Sequence, residues 1–346
     1  MSNVAVIGAG SWGTALALVL ADNGHDVRLW ARRKELVDEI NQTHTNEKYL
    51  PGTKLPQNIT GCSSLKDAVL DCETVLLVVP TKAIRPTVQL LKDAVKEPVT
   101  IVHGSKGIEP GTHKRISEMI EEGFANTELL KNVVVLSGPS HAEEVSLRQP
   151  TTVTVSSNFP SASEKVQDLF MNAQFRVYTN EDLIGVEIGG ALKNIIALVC
   201  GLTNGLGYGD NTKAAIMTRG LAEIARLGTK LGANPLTFAG LSGLGDLIVT
   251  CTSVHSRNWR AGQLLGQGKT VEEVLESMGM VVEGIRTTKA AHELAEKLGV
   301  EMPITAALHS VLFASKRPEE AAEELMGRVK KHEVENIIFN GENLPL

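Results

Sequence analysis

The side chains best placed to do chemistry in this chain are lysines, an aspartate and an arginine set among glycines, hydroxyls and small apolar residues. Lys193, followed by Asn194, lies in the middle of the stretch from Ile184 to Cys200, which is mostly apolar or small and also carries Glu187. An ammonium in such a stretch is costly unless paired, and desolvation lowers its pKa toward the range where an amine both gives and takes a proton near neutral pH. The bland alternative is a lysine whose stem covers apolar surface. Gly189, Gly190 and Ala197 fall three or four residues from Lys193, a spacing that predicts room for a ligand beside the amine. Asp246 stands in a second stretch, Ser242 to Asn258, whose glycines and hydroxyls predict a loop around something small, polar and anionic. There Arg257 offers a planar fork for phosphate or carboxylate, and a helix begins beside it with Ser256 or Asn258 as cap. An anion at Arg257 would also meet the free N–H groups of that helix start; the plain alternative is a capped interdomain turn with a solvated arginine.

These residues need elements to hold them. Asn3 to Gly8 reads as a buried strand, followed at once by Gly8-Ala-Gly-Ser-Trp-Gly13 and a helix from Thr14 to Gly24. This is G-x-G-x-x-G in a strand–turn–helix setting, with Gly8, Gly10 and Gly13 permitting a tight turn, close approach to a pyrophosphate and close helix–strand packing. A second strand, His25 to Ala31, ends in Arg32 and Arg33 rather than in the acid that would hold a ribose 2′-OH. Two guanidiniums suit a 2′-phosphate, which favours NADPH with NADH also usable, unless they merely open the next solvated helix. Asn41 to Asn58 reads as loop, Ser64 to Leu70 as helix, and Thr74 to Pro80 and Val99 to His103 as strands. Lys106 follows the last of these at the carboxyl end of the sheet, where doubly wound folds gather ligands, although a surface turn would also suit it. Gly138 and Ser140 follow the strand Val133 to Leu136, and His141 beside them reads as a hydrogen-bonding neighbour rather than a base. Further strands at 151–157 and 175–178 flank a helix at 162–171.

From about Asp182 helical periodicity takes over, with helices at 213–231, 271–278, 285–298, 304–315 and 318–329 and a loop at 204–211. The expected architecture is therefore an α/β Rossmann-type dinucleotide-binding domain over 1–180 and an all-helical domain over 181–346. The chain's 346 residues suit two domains, and 42% apolar with 21% charged residues is a soluble globular composition. A net charge of −6 argues against a nucleic-acid or anionic-membrane binder, so any anionic ligand is held by local positive groups. No signal peptide and no apolar run near the ~18 residues of a membrane span is visible. Cys62, Cys72, Cys200 and Cys251 lack metal-ligand spacing and read as reduced thiols of a cytoplasmic protein.

With these pieces assembled, the chain closely resembles the bacterial NAD(P)-dependent glycerol-3-phosphate dehydrogenases from Met1 to its C-terminus. The resemblance rests on Gly8 to Thr14, Ser105 to Glu109, Ser137 to Ser140, Ala191 to Ile195, and Gly243 to Leu247 with Ser256-Arg-Asn258, in that order. It implies reversible hydride transfer between dihydroxyacetone phosphate and sn-glycerol 3-phosphate, without a metal, for phospholipid synthesis. It further implies that Ser11, Trp12, Arg32, Arg33 and Ala142 touch the cofactor and that Lys106 lies between cofactor and substrate. Lys193 would give and take the proton, with Asp246 orienting it. Gly138, Ser140, Asn194, Asp246, Thr250, Ser256, Arg257 and Asn258 would hold the substrate, Arg257 also nearing the cofactor, with Val281 and Glu283 closing the far side. Symmetry priors suggest a homodimer. A second reading keeps the fold but takes a ketoacid, as a ketopantoate reductase does; a third is a non-catalytic NADP(H) sensor, which would need no Lys106, Lys193 and Asp246 together.

Overall fold

The computed structural model describes residues 2–279 and 281–330 and the backbone of 338–339 and 342–343. Its first part alternates strand and helix: β1 (Asn3–Ile7), α1 (Ser11–Asp22), β2 (Asp26–Trp30), α2 (Lys34–Thr43), β3 (Ile59–Cys62), α3 (Leu65–Val69), β4 (Thr74–Leu77), α4 (Ile84–Ala94), β5 (Val99–His103), α5 (Ile116–Gly123), β6 (Leu130–Ser137), α6 (Ala142–Ser146), β7 (Thr151–Ser156), α7 (Pro160–Phe170) and β8 (Phe175–Asn180). The strands form one sheet in the order β3-β2-β1-β4-β5-β6-β7-β8. Every pairing is parallel except β6 with β7. Parallel crossovers need a helix on a sheet face, so the strands are buried on both sides and read as short apolar runs. Leu16 and Leu20 of α1, Ile40 of α2 and Phe170 of α7 build the core on one face. Ile84 and Leu91 of α4 and Ile120 of α5 build it on the other. The chain winds one way from β1 to β3 and the other way from β4 onward, which opens a crevice at the carboxyl ends of β1 and β4.

The second part is helical: α8 (Leu183–Gly205), α9 (Asp210–Lys230), α10 (Asp246–Thr252), α11 (Arg257–Gly266), α12 (Val271–Met278), α13 (Glu283–Leu298), α14 (Pro303–Phe313) and α15 (Pro318–Met326). A two-residue backbone hairpin, Ile338–Phe339 with Glu342–Asn343, departs from the all-helical expectation. Asp182 caps α8 by accepting from Gly185 N. From Gly185 to Thr203 every residue of α8 is buried. Among the described residues α8 is the one helix long and apolar enough to cross a bilayer, and it serves as the central core helix of this half. Against it α11 packs backbone to backbone: a Cβ on Gly201 would stand 1.9 Å from Trp259 O, and one on Gly262 would stand 2.0 Å from Leu198 O.

Several expectations change here. Ser242–Asn258 is no open loop: a π-helical turn, Leu241–Gly245, runs directly into α10, and α11 follows after a short turn capped by Ser256. Propensity lost to packing, because Gly243 lets this turn lie on the backbone of Phe238, 2.1 Å from where its Cβ would be. Helix α8 also extends through Gly205, shortening the expected loop at 204–211. Strand β3 and helices α5 and α6 are additions, each short and with little periodicity to mark it.

Candidate active site

The crevice begins at the turn from β1 into α1. Gly8 has φ +120°, and a Cβ on it would meet Val78 O at 2.2 Å; one on Gly13 would meet Gly8 O at 1.9 Å. Only glycine satisfies either position. No atom lies within 4 Å of a Cβ on Gly10, so that backbone face is open to a close-approaching group. Gly10 caps α1 without a side-chain bond, leaving the helix's first N–H groups directed at the crevice. Ser11 Oγ donates to Tyr49 O at 2.6 Å, and the buried Trp12 Nε1 has no partner among the described residues. Asn46, fully buried, donates to Ala9 O at 3.1 Å and Thr14 Oγ1 at 2.8 Å. The polar segment 41–58 therefore braces the glycine turn, a role nothing in its composition marked. Arg32 and Arg33 are exposed after β2, with Arg33 over the Tyr49 ring at 5.7 Å. Ala142 is buried at the start of α6, which packs on α1. These features fit a dinucleotide: an anion-binding helix start, a backbone open at Gly10, and two exposed guanidiniums after β2.

Beyond this turn three charged groups from distant parts of the chain converge. Lys106 follows β5, Lys193 stands in the middle of α8, and Asp246 opens α10. Lys106 Nζ donates to Asp246 Oδ2 at 2.6 Å, and Lys193 Nζ donates to Asp246 Oδ1. Lys193 Nζ also donates to Thr250 Oγ1 at 2.8 Å, whose hydroxyl donates to Asp246 O at 2.6 Å. Asp246 is 1% exposed and Lys193 6%. Burial is the largest influence on Lys193 and, with the neighbouring Lys106 charge, outweighs the attraction of Asp246, bringing its pKa down to about 7. Burial opposes ionisation of Asp246 as well, but the two ammonium groups hold it below the usual carboxylate range. One carboxylate between two amines leaves an excess of positive charge at the crevice whenever both amines are protonated, suited to an oxygen that becomes negative.

Around the cluster lie the remaining candidates. Ser140 Oγ donates to Gly138 O at 2.9 Å, and Pro139 packs against Gly245. His141 Nε2 lies 3.3 Å from Val249 O, and burial lowers its pKa, in keeping with a hydrogen-bonding neighbour. Ser256 accepts from Trp259 N at 3.2 Å as the cap of α11. Asn258 Nδ2 donates to Asn194 Oδ1 at 2.8 Å, and Asn258 Oδ1 accepts from Gly284 N at 2.9 Å, tying α11 to α8 and α13. Arg257 is exposed at the α11 start, Nη1 donating to Val281 O at 3.4 Å. Glu283 accepts from Thr81 N and Thr81 Oγ1, both at 3.0 Å, joining the two halves at the crevice.

Gly189 and Gly190 do not clear room for a ligand. A Cβ on Gly189 would stand 2.6 Å from Ser242 O and one on Gly190 2.7 Å from Ser137 Oγ, so the space seats the π-helical turn and the end of β6. Thr81, Asn46 and His103 are site neighbours that sequence reasoning missed. Thr81 meets Glu283 across 202 residues, a separation that no local pattern bridges.

The comparisons with known proteins bear on the whole chain. Residues 3–163 match the family model for the N-terminus of NAD-dependent glycerol-3-phosphate dehydrogenase, and 182–323 match that for its C-terminus. The chain is 76% identical to the NAD(P)+-dependent glycerol-3-phosphate dehydrogenase of Halalkalibacterium halodurans over 337 residues, 97% of each chain. It is 69% identical to that of Bacillus cereus, over 97% of this chain and 99% of the relative. The crystal structure of glycerol-3-phosphate dehydrogenase from Coxiella burnetii superimposes with a TM-score of 0.90 at 38% identity, covering 94% of this chain and 99% of that one. A ketopantoate reductase from Ralstonia eutropha reaches a TM-score of 0.58 at 16% identity over 92% of this chain and 99% of that one, a likeness of fold alone.

Proposed function

The chain belongs to the NAD-dependent glycerol-3-phosphate dehydrogenase family, and from that premise we propose that Lys106, Lys193 and Asp246 form its catalytic centre. The protein is an NAD(P)-dependent oxidoreductase interconverting dihydroxyacetone phosphate and sn-glycerol 3-phosphate, the backbone unit of phospholipids. The observation that carries the catalytic assignment is the buried Asp246 carboxylate shared by an amine from each half of the molecule. A reduced nicotinamide held in the crevice by the glycine turn would supply the hydride for the ketone carbon. Lys106 and Lys193 stabilise the negative charge that develops on the carbonyl oxygen, and Lys193 delivers the proton to it. Asp246 and Thr250 aim Lys193 and keep it from losing its proton too easily. Arg257 and the N–H groups at the α11 start take the substrate phosphate, which positions the carbonyl without joining the chemistry. Gly138, Ser140, Asn194, Ser256 and Asn258 shape the substrate pocket, the two asparagines through their mutual bond. Gly8, Gly10, Ser11, Trp12, Gly13, Ala142, Val281 and Glu283 hold the cofactor. Arg32 and Arg33, exposed where an acid would select NADH, support NADPH as the preferred cofactor. In this reading 1–180 is the cofactor domain and 181–346 the substrate domain. Four free thiols, three of them buried, support a reducing cytoplasm, and the homodimer is a matter for analytical ultracentrifugation.

The deciding experiment follows NADPH oxidation by Lys193→Ala. Turnover falls by about 1,000-fold or more with NADPH affinity within about threefold of wild type. Near-normal turnover would refute the assignment.

A further inference from the structure

A second buried polar knot crosses between the two halves, close to the catalytic cluster but outside it. Glu187 of α8 accepts from Arg115 Nη1 at 2.5 Å and from Ser117 Oγ at 2.6 Å through Oε2, and from Ser117 N at 2.8 Å through Oε1. The same Oε1 lies 3.3 Å from Nε2 of His103, the last residue of β5, which is fully buried. The other ring nitrogen, Nδ1, lies 3.3 Å from Ser105 O. One ring edge therefore faces a carboxylate and the other a carbonyl. Burial opposes a charge on Glu187, yet His103, Arg115 and Ser117 outweigh it and bring the pKa down to about 2, so the carboxylate is ionised. Arg115 also meets Glu118 on its own helix, at 3.3 Å.

The knot lies close in sequence to both amines. His103 stands three residues before Lys106, and Glu187 six residues before Lys193 on the same rigid helix. Ser105, the residue between, is further held by its hydroxyl, which donates to Val79 O at 2.7 Å and accepts from Val79 N at 3.1 Å. The peptide that presents Lys106 is thus tied to strand β4's end on one side and, through His103, to α8 on the other. We propose that His103 and Glu187 are positioning residues of the dehydrogenase reaction, setting the reach between the Lys106 segment and the Lys193 helix so that both amines meet Asp246. This inference rests on the catalytic centre proposed above. A misplacement of about 1 Å at either amine is expected to cost turnover rather than binding.

Two near-isosteric substitutions separate the two contacts. The amide nitrogen of His103→Asn takes the place of Nδ1 and keeps the Ser105 bond; that of His103→Gln takes the place of Nε2 and keeps the close approach to Glu187. Wild-type turnover of dihydroxyacetone phosphate with NADPH is measured first, and its absence would overturn the functional reading and this inference together. With wild type active, both variants are expected to lose about 10- to 100-fold in kcat while KM and the NADPH dissociation constant stay within about threefold. The pH at which reductive kcat declines also shifts, because the spacing of Lys106, Asp246 and Lys193 changes. A purely structural role would lower the Tm and leave that pH in place. Normal kcat with an unmoved pH profile in both variants would overturn the inference and leave the functional reading standing. Should either variant fail to fold, Glu187→Asp retains the charge and shortens the reach; a kcat loss with a shifted profile supports the inference, and unchanged kcat overturns it.

Discussion

Lys193 is buried beside the carboxylate that attracts its proton, and the balance of the two decides when that proton is available. With the Lys193 pKa near 7, the proposed role as proton donor and acceptor makes reduction depend on the protonated amine and oxidation on the neutral one. The kcat for ketone reduction is therefore expected to fall as pH rises through about 7, and that for alcohol oxidation to rise through the same range. Steady-state profiles in both directions check this, and parallel limbs would contradict the assignment. Removing the carboxylate withdraws the influence that raises the lysine, so any residual reduction by Asp246→Asn should decline at lower pH than in wild type. In the proposed pocket Arg257 would act on binding instead. Arg257→Lys keeps the charge but loses the planar fork, and KM for dihydroxyacetone phosphate should rise about 10- to 100-fold while any turnover of unphosphorylated dihydroxyacetone stays unchanged.

At the scale of elements, the seam between α8 and α11 sets the site. Gly201 and Gly262 let the two backbones touch, which places Ser256, Arg257 and Asn258 beside Asn194, the neighbour of Lys193. Gly262→Ala puts a methyl 2.0 Å from a backbone carbonyl that cannot step aside, so α11 must move. A loss of about 1–3 kcal/mol in urea unfolding, with a larger fractional loss in kcat/KM, is expected. Gly209→Ala, with open space around its Cβ and ordinary backbone angles, is the control and should change stability by less than about 0.5 kcal/mol. The pairs Gly201–Gly205 and Gly262–Gly266 stand in the sequence as spaced glycines, yet spacing alone does not say which two helices meet. The same limit explains the misreading of Ser242–Asn258: its glycines and hydroxyls argue for a loop by propensity, and only the neighbouring backbone of Phe238 and α8 makes a helical turn favourable there. Strand β1 and the glycine turn were legible because a buried parallel strand and a dinucleotide turn each have a local signature.

For the molecule as a whole, the legible parts were those coded within about thirty residues, and the illegible parts were contacts between halves. Lys106, Lys193 and Asp246 stood out singly as charges in the wrong surroundings, but that one carboxylate holds both amines is a fact of tertiary folding. The Glu187 knot is of the same kind and has a consequence for stability. Its carboxylate ionises near pH 2 when folded against an ordinary value of 4.5, a depressed pKa. Its contribution is therefore complete above about pH 4.5 and is lost as pH falls toward 2. The urea midpoint should drop across that window in wild type, and more shallowly in Glu187→Gln; equal slopes would remove Glu187 from the account. Asp246 has a different lesson. Because it accepts from one amine on the sheet side and one on the helical side, the proposed centre is complete in neither half alone. On that assignment the molecule is a two-key lock: were the halves to part by a few ångströms, one key would leave the carboxylate, and a reduced cofactor resting in the open cleft would face a centre unable to pass its hydride to a stray carbonyl.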